Sequence, residues 1–393
     1  MTLCDYELAA NDTPPDIDLP DGVPPLRAFY LYLSNSCNLA CRHCWITPRF
    51  VDGRPDPGDV IDLDALRDAV REAKPLGLSS AKLTGGEPLL HPRHVEIVDM
   101  LTAEGLSLNM ETNGTLLTSE LARYLKDRTN VTFISVSIDG ADAATHDAFR
   151  SVPGAYDAAL RGLDHLVGAG YTNSQVIMSV HRGNRDQIEA VVDLAVQHGA
   201  GSVKLNPVTN SGRGAAMHER GEGLDYEERM ALDCWVREDL RPRLREGEAG
   251  IGLVLNTPLA LLPISEIMRR GGSTGDCGAR GILGVLGTGE IALCGIGRTI
   301  PELVYGRLGE DSISDIWFHH PAILELRRAL DAPEEFPGIC GECTMAQRCR
   351  TGCVAQNYVD SRHLAWPDEL CAEAERLGVF PVTRRRPRSA MGV

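Results

Sequence analysis

From Ala28 to Leu240 the chain repeats one pattern, a short apolar run followed by a segment with helical spacing, and this repetition restricts its fold more than any other feature. Ala28-Phe-Tyr-Leu-Tyr-Leu-Ser34 reads as a buried strand, and Leu63, Leu66 and Val70 recur at the spacing that lines one face of a helix. Further strands are expected near 80–84, 107–111, 131–137, 174–180 and 202–206, with helices near 93–104, 118–126, 155–169, 186–198 and 225–240. Strands alternating with helices of this length predict a parallel sheet with right-handed crossovers, so the expected fold class is α/β. Pro242 is expected to end the last of these helices, and Gly247 to Gly250 mark a joint.

The first strand runs directly into Ser34-Asn-Ser-Cys37-Asn-Leu-Ala-Cys41-Arg-His-Cys44-Trp45. Three thiolates can hold three irons of a cubane cluster, and with no fourth cysteine nearby one iron stays open for a small ligand. A zinc knuckle or three unrelated thiols are the plainer alternatives. The second strand runs into Gly85-Gly86-Glu87-Pro88. Two glycines let the chain approach a ligand closely and a carboxylate complements an ammonium, although a Gly-Gly pair is more often simply a turn. Polar clusters close the third strand, Glu111-Thr112-Asn113-Gly114, and the fourth, Ser135-Val-Ser137-Ile-Asp139-Gly140. Such residues cap helices, touch ligands, or do both.

Cys37-x3-Cys41-x2-Cys44 resembles the signature of the radical S-adenosylmethionine (SAM) enzymes, and Gly85-Gly86-Glu87 resembles the GGE motif of the same family. The resemblance implies a partial (β/α)6 TIM-like barrel and a 4Fe-4S cluster whose open iron binds the amino and carboxylate groups of SAM. One electron then cleaves SAM to a 5'-deoxyadenosyl radical, which abstracts a hydrogen atom from the substrate. It implies contacts from Gly85, Gly86 and Glu87 to the SAM ammonium, Asn113 beside SAM, Ser137 near its carboxylate or ribose, and Ser179 and Asn206 near ribose or adenine. Arg150 offers a cation for the SAM carboxylate, with a solvated helix arginine as the alternative.

A second array follows: Cys277-x11-Gly289-x4-Cys294, then Cys340-x2-Cys343-x5-Cys349-x3-Cys353, then Cys371. Thiolates this dense bind metal or remain a redox hazard, and seven leave one of two Cys4 zinc sites incomplete. Their order resembles the SPASM domain found behind some radical SAM barrels, with the Trp317 region after Gly306-Arg-Leu-Gly309 resembling its linker. The resemblance implies two auxiliary 4Fe-4S clusters, Cys277, Cys294 and Cys353 holding the first and Cys340, Cys343, Cys349 and Cys371 the second. Arg270 to Asp276 contains no cysteine, so the first of these is expected to have an open iron facing the substrate cavity, unless Cys234 reaches it. Cys4 and Cys234 otherwise read as a tail thiol and a small buried hydrophobe on a helix.

The expected domains are an N-terminal arm over 1–26, rich in Pro14, Pro15, Pro20, Pro24 and Pro25, the barrel over 27–245, a bridge over 246–276, the SPASM domain over 277–380 and a basic tail over 381–393. The arm is expected to be too short for the winged-helix domain with which many peptide-modifying relatives grip a leader. The run Thr383-Arg-Arg-Arg-Pro-Arg388 is expected to be solvated and disordered. A net charge of −16 disfavours nucleic acid and anionic membranes as partners, and no signal peptide or apolar stretch of about 18 residues is present, so a cytoplasmic enzyme is expected.

Most relatives with a SPASM domain modify ribosomally made peptides by cross-linking, oxidising or epimerising residues, so a peptide maturase is the leading expectation. It implies an electron donor such as flavodoxin or ferredoxin and a separate leader-binding protein. Oxidation of a small molecule such as a sugar or cyclitol is the alternative, and a non-catalytic electron carrier or scaffold the second. Formylglycine formation is not expected, because those maturases place an Asp directly after the cysteine matching Cys294, whereas Gly295-Ile-Gly297 stands here and glycine cannot serve as a base. Asp276, Tyr305 and His181 are the weaker candidates for that base.

Overall fold

The computed structural model describes residues 17–48, 50–51, 54–55, 60–246, 250–269 and 277–387. Cys4, Pro14, Pro15, Gly247 and the Arg270 to Asp276 segment, with its candidate base, lie outside the described residues. The strands are β1 (Ala28–Tyr32), β2 (Ser80–Thr84), β3 (Ser107–Thr112), β4 (Val131–Ser137), β5 (Gln175–Val180), β6 (Ser202–Pro207), β7 (Gly252–Leu255), β8 (Ile282–Val285), β9 (Glu290–Ala292) and β10 (Val304–Arg307). They form a single ten-stranded sheet in the order β10-β9-β8-β1-β2-β3-β4-β5-β6-β7. The pairs from β8 through β1 to β7 are parallel, and β9 and β10 close the far edge as antiparallel strands.

The sheet extends past the six strands expected from the alternation. The bridging run after Gly250 supplies β7, parallel to β6, and the cysteine-rich region supplies β8, whose Val285 pairs with Leu31 of β1. Hydrogen bonding is therefore continuous across residue 277, where composition alone places a domain boundary. Both strands are short and lie far in sequence from their partners, so no local periodicity announces them.

The helices follow from capped amphipathic segments. In α1 (Leu63–Ala73) the Asp62 carboxylate accepts from the Ala65 amide at 2.8 Å, and Leu63, Leu66, Ala69, Val70 and Ala73 form the buried stripe. Next come α2 (His94–Ala103), α3 (Ser119–Arg128), α4 (Ala143–Arg150), α5 (Ala155–Gly168), α6 (Ile188–Gln197), α7 (Arg213–Glu219) and α8 (Tyr226–Trp235). Pro242 does not end the helical segment after β6. A wide π turn over Val236–Leu240 resets the ladder, and a fresh helix over Arg241–Glu246 holds Pro242 in its first turn, where a missing N–H costs little.

The cysteine-rich third adds α9 (Ile313–His319), α10 (Pro321–Asp331), α11 (Val354–Ser361) and α12 (Glu369–Arg376). Trp317 of α9, fully buried, donates from its indole to the Pro24 carbonyl at 3.0 Å, tying the end of the N-terminal arm to this region. Among the described residues no helix is long and apolar enough to cross a membrane.

The basic tail differs from its expected disorder. Arg384 is buried, its carbonyl accepts from the Thr344 amide at 2.7 Å and its guanidinium donates to the Leu262 carbonyl at 2.9 Å. Arg385 bridges to Cys343 through the backbone and pairs with Glu342 at 2.9 Å and with Glu375. A loop that gathers thiols and carboxylates draws a run of arginines onto itself, which a reading of the tail by composition alone misses.

Candidate active site

The loop after β1 carries Cys37 and Cys41, both buried, and the half-buried Cys44. It is held from three sides. On the first, Gly86 N donates to the Ser34 carbonyl at 2.9 Å and Glu87 N to the Ser36 carbonyl at 2.8 Å. A β-carbon on Gly86 would lie 2.0 Å from the Ser36 oxygen, so only glycine lets the two backbones approach this closely. The Gly-Gly pair is thus a clamp on the cysteine loop.

Glu87 has no solvent exposure. Its carboxylate accepts from Thr112 Oγ1 at 2.7 Å, the Asn113 amide at 2.8 Å and the Leu89 amide at 3.2 Å, and burial pushes its pKa up to about 7. Three of its roughly four acceptor positions are filled, so its first task is to join the ends of β2 and β3. Asn113 continues the link, donating from Nδ2 to Asn38 Oδ1 at 2.8 Å and reaching Cys37 Sγ at 3.9 Å.

On the second side stands Arg150, at the end of α4. It is buried, pairs through Nε with Asp139, and donates from Nη1 to Cys41 Sγ at 3.4 Å. Burial alone would raise the Asp139 carboxyl, but the opposed Arg150 holds it below the usual carboxylate range. Asp139 also accepts from the Ser179 amide at 2.7 Å, and Ser179 Oγ lies 3.2 Å from His43 Nε2. The Phe149 ring stacks between His43, at 4.6 Å, and His181, at 4.7 Å. Burial pushes His43, within the cysteine loop itself, down to about 4, so this ring stands neutral between Cys41 and Cys44. The solvated-arginine alternative for Arg150 does not hold. His181, at the far end of the stack, accepts from the Gly183 amide through Nδ1.

The third side was not legible in the sequence. Arg213 of α7 donates to the carbonyls of Cys41 at 3.1 Å and Pro48 at 2.9 Å, and its amide to the Cys44 carbonyl at 3.1 Å. Its partners stand 172 and 165 residues away, and no motif surrounds it. Ser137 sits half-exposed at the end of β4.

The second array divides into two groups. Cys277, Cys294 and Cys353 line a single cavity of about 270 Å³ together with Tyr30, Tyr32 and Trp45. Cys277 and Cys353 hydrogen-bond each other, and burial pushes the Cys294 thiol up to about 12. Cys234 does not join them: it is exposed on α8, where Glu238 accepts its hydrogen bond, and so is neither a buried hydrophobe nor a fourth lining thiol. Cys340, Cys343, Cys349 and Cys371 are all buried. Burial, then Asp368, then the other three thiols push Cys371 well above its ordinary range, which puts all four in one electrostatic neighbourhood.

Gly295 explains the missing base. A β-carbon there would lie 2.4 Å from both Trp45 and Tyr32, whose rings meet edge to face at 5.8 Å. This aromatic pair fills the space between the first cysteine loop and Cys294. Tyr305 is buried on β10 with its hydroxyl unpartnered among the described residues.

Among the described residues no three His, Cys, Asp or Glu side chains converge on a single-ion position. What the chain offers is an all-sulfur donor set in groups of three, three and four, the soft ligands that suit iron-sulfur clusters. Among the described residues neither trio has a fourth cysteine grouped with it, which fits a cluster with one open iron. A cluster bound by the first loop would supply one electron to a ligand on that iron.

Between the first loop and the Cys277 cavity lies a cavity of about 470 Å³ at the carboxyl ends of β5 to β7, reached by His43, Trp45, Ser179, Asn206, Cys277 and Cys353. Thr209 and Gln356 line both cavities and also an outer groove of about 540 Å³ between α8 and α12. The three spaces are therefore adjoining.

The family model for the radical SAM superfamily matches residues 31–195. The mycofactocin maturase MftC of Mycolicibacterium smegmatis is 28% identical over 358 residues, covering 91% of this chain and 85% of that protein. The AdoMet-dependent heme synthase of Nitratidesulfovibrio vulgaris is 30% identical over 376 residues, covering 91% of this chain and 95% of that protein. Among solved structures, Streptococcus suis SuiB bound to S-adenosylmethionine superposes with a TM-score of 0.67 at 16% identity, covering 88% of this chain and 77% of that chain, a likeness of fold. Near full-length similarity at this level, joined to the cysteine loop at the end of β1 and the glycine clamp that holds it, makes the chain a member of the radical SAM superfamily, an enzyme with a C-terminal SPASM domain.

Proposed function

We propose that the chain is a peptide maturase that uses the 5'-deoxyadenosyl radical to cross-link, oxidise or epimerise a residue of a ribosomally made peptide. The observation that carries this reading is the similarity to the mycofactocin maturase along 91% of the chain. In it, Cys37, Cys41 and Cys44 hold the SAM-binding cluster within the unit spanning 27–245. Cys277, Cys294 and Cys353 hold a first auxiliary cluster, and Cys340, Cys343, Cys349 and Cys371 a second, within 277–380, giving three 4Fe-4S clusters.

Gly85, Gly86 and Glu87 shape the SAM site chiefly by fixing the cysteine loop, since the Glu87 carboxylate is buried among three donors. Asn113 and Arg150 anchor the same loop, and Ser137 and Ser179 stand at the strand ends where SAM lies. The first auxiliary trio faces the reaction cavity through Cys277 and Cys353, which suits an open iron receiving a substrate atom or electron. The reading includes a flavodoxin or ferredoxin as electron donor, a separate leader-binding protein and a cytoplasmic setting.

Small-molecule oxidation has one supporting observation, the similarity to AdoMet-dependent heme synthases. One experiment decides. The reduced, reconstituted protein is incubated with SAM and with the short peptide encoded beside its gene. Formation of 5'-deoxyadenosine together with a mass change in the peptide supports the maturase. Deoxyadenosine without peptide change, but with turnover of a small acid or sugar, supports the alternative.

A further inference from the structure

The inner wall of the central cavity holds a cation, Lys204, for which the described residues supply no counter-ion. On β6, Val203 and Leu205 are buried in the core, while Lys204 and Asn206 alternate with them and face the cavity. Lys204 pairs in register with Val254 of β7 and Leu205 with Leu255, so Asn206 and Asn256 come next, side by side at the two strand ends.

Among the described residues Lys204 has no hydrogen bond and no carboxylate within ion-pair distance. The carboxamides of Asn206 and Asn256 are likewise unpaired there. The contrast with the other charges is informative. Lys82, the inward lysine of β2, is neutralised by Glu111 at 2.8 Å and lies 5.0 Å over the Tyr30 ring. Arg229, the second cation on this cavity, pairs with Glu369 at 3.3 Å. Asp368, the cavity's one acidic side chain among those described, caps α12 by accepting from the Leu370 amide and has Arg229 as its nearest opposing charge.

In a chain of net charge −16, a half-buried lysine that faces the cavity and has no counter-ion among the described residues leaves its charge open to an anionic ligand. An ammonium and two carboxamides on one cavity wall bring several N–H donors to that wall, a set that matches a carboxylate. We infer that Lys204, with Asn206 and Asn256, forms a receptor for a carboxylate of the substrate, either the C-terminus of a peptide or an Asp or Glu side chain. The occupant being a peptide rests on the maturase reading; the carboxylate chemistry does not.

Three degenerate libraries of N-acetylated hexapeptides test this on the reconstituted, SAM-loaded protein, with retention read by ultrafiltration and mass spectrometry. One library lacks Asp and Glu and has free C-termini, the second is the same as C-terminal amides, and the third is amidated but contains Asp and Glu. The wild type should retain the first or third over the second, and which of them it prefers identifies the source. Lys204→Met should lower that preference by about tenfold or more, as loss of a charge-assisted bond does, and Lys204→Arg should keep most of it. Unchanged iron content and SAM affinity by calorimetry show that the variant is folded and its cofactor site intact.

A Lys204→Met protein that keeps the preference overturns the inference. So does loss of SAM affinity in that variant, which would move Lys204 into the cofactor pocket. Small dicarboxylates held through Lys204, with no peptide class retained, would preserve the receptor and remove the maturase reading. A wild type indifferent to carboxylates in both peptides and small acids would remove the receptor.

Discussion

Gly86→Ala tests whether the glycine pair exists to seat the cysteine loop. The new methyl would stand 2.0 Å from the Ser36 carbonyl oxygen and 2.6 Å from its carbon, atoms that belong to backbone and cannot swing aside as a side-chain tip can. Reaching ordinary van der Waals contact means a retreat of about 1.4 Å by the Ser34–Cys37 stretch. That movement breaks the bonds from Gly86 N to Ser34 and from Glu87 N to Ser36. Overpacking of this kind costs about 1–3 kcal/mol and each lost bond about 1 kcal/mol more, so local destabilisation of roughly 3–5 kcal/mol falls on the residue next to Cys37.

After anaerobic reconstitution, iron should fall by about four per chain, the content of one cluster, and SAM cleavage to 5'-deoxyadenosine should be lost while the auxiliary clusters remain. Gly105→Ala is the control. Its φ of +80° brings backbone strain of about 1–2 kcal/mol but its β-carbon meets nothing within 4 Å, so iron should stay at the wild-type level. Full iron and full SAM cleavage in Gly86→Ala would refute the clamp.

Replacing Cys37, Cys41 and Cys44 together with Ala should remove about four irons and abolish 5'-deoxyadenosine formation, leaving the auxiliary spectrum in place; full cleavage activity would sink the assignment. Gly295→Asp should not confer formylglycine chemistry but should force Tyr32 and Trp45 apart, costing about 1–3 kcal/mol in urea unfolding and altering tryptophan emission, whereas an unperturbed melt would show that the aromatic wedge yields freely. Arg384→Gln removes a positive charge beside Cys343, so the cluster proposed for Cys340, Cys343, Cys349 and Cys371 should become harder to reduce by roughly tens of millivolts in a redox titration followed by electron paramagnetic resonance, and an unchanged potential would leave Arg384 a purely structural contact.

The sequence by itself determined the αβ alternation, because apolar runs with period-2 and helical spacing act locally, and it determined the first thiol group, because Cys37, Cys41 and Cys44 share one loop; the division of the later thiols, with Cys353 beside Cys277 rather than beside its chain neighbour Cys349, is tertiary. Leu63, Leu66 and Val70 fall on the buried stripe of α1, and the cysteine loop falls directly after β1, as spacing alone implies. Partnership across the fold was decided only in three dimensions. Glu87 could be seen as a carboxylate near a ligand, yet its burial among Thr112, Asn113 and Leu89 depends on β2 and β3 lying side by side.

Arg150 could be seen as a cation, but its commitment to Asp139 and Cys41 follows from α4 folding back over the cysteine loop. Arg213 carried no signal, since a guanidinium that binds carbonyls needs no particular neighbours in sequence. The sheet's extension by β7 and β8, the docking of Arg384 and Arg385 onto the second thiol group, and the exclusion of Cys234 by its exposed position on α8 share one cause. Each depends on which surfaces meet after the chain has turned through more than one element, and local pattern ends at the edge of a single one.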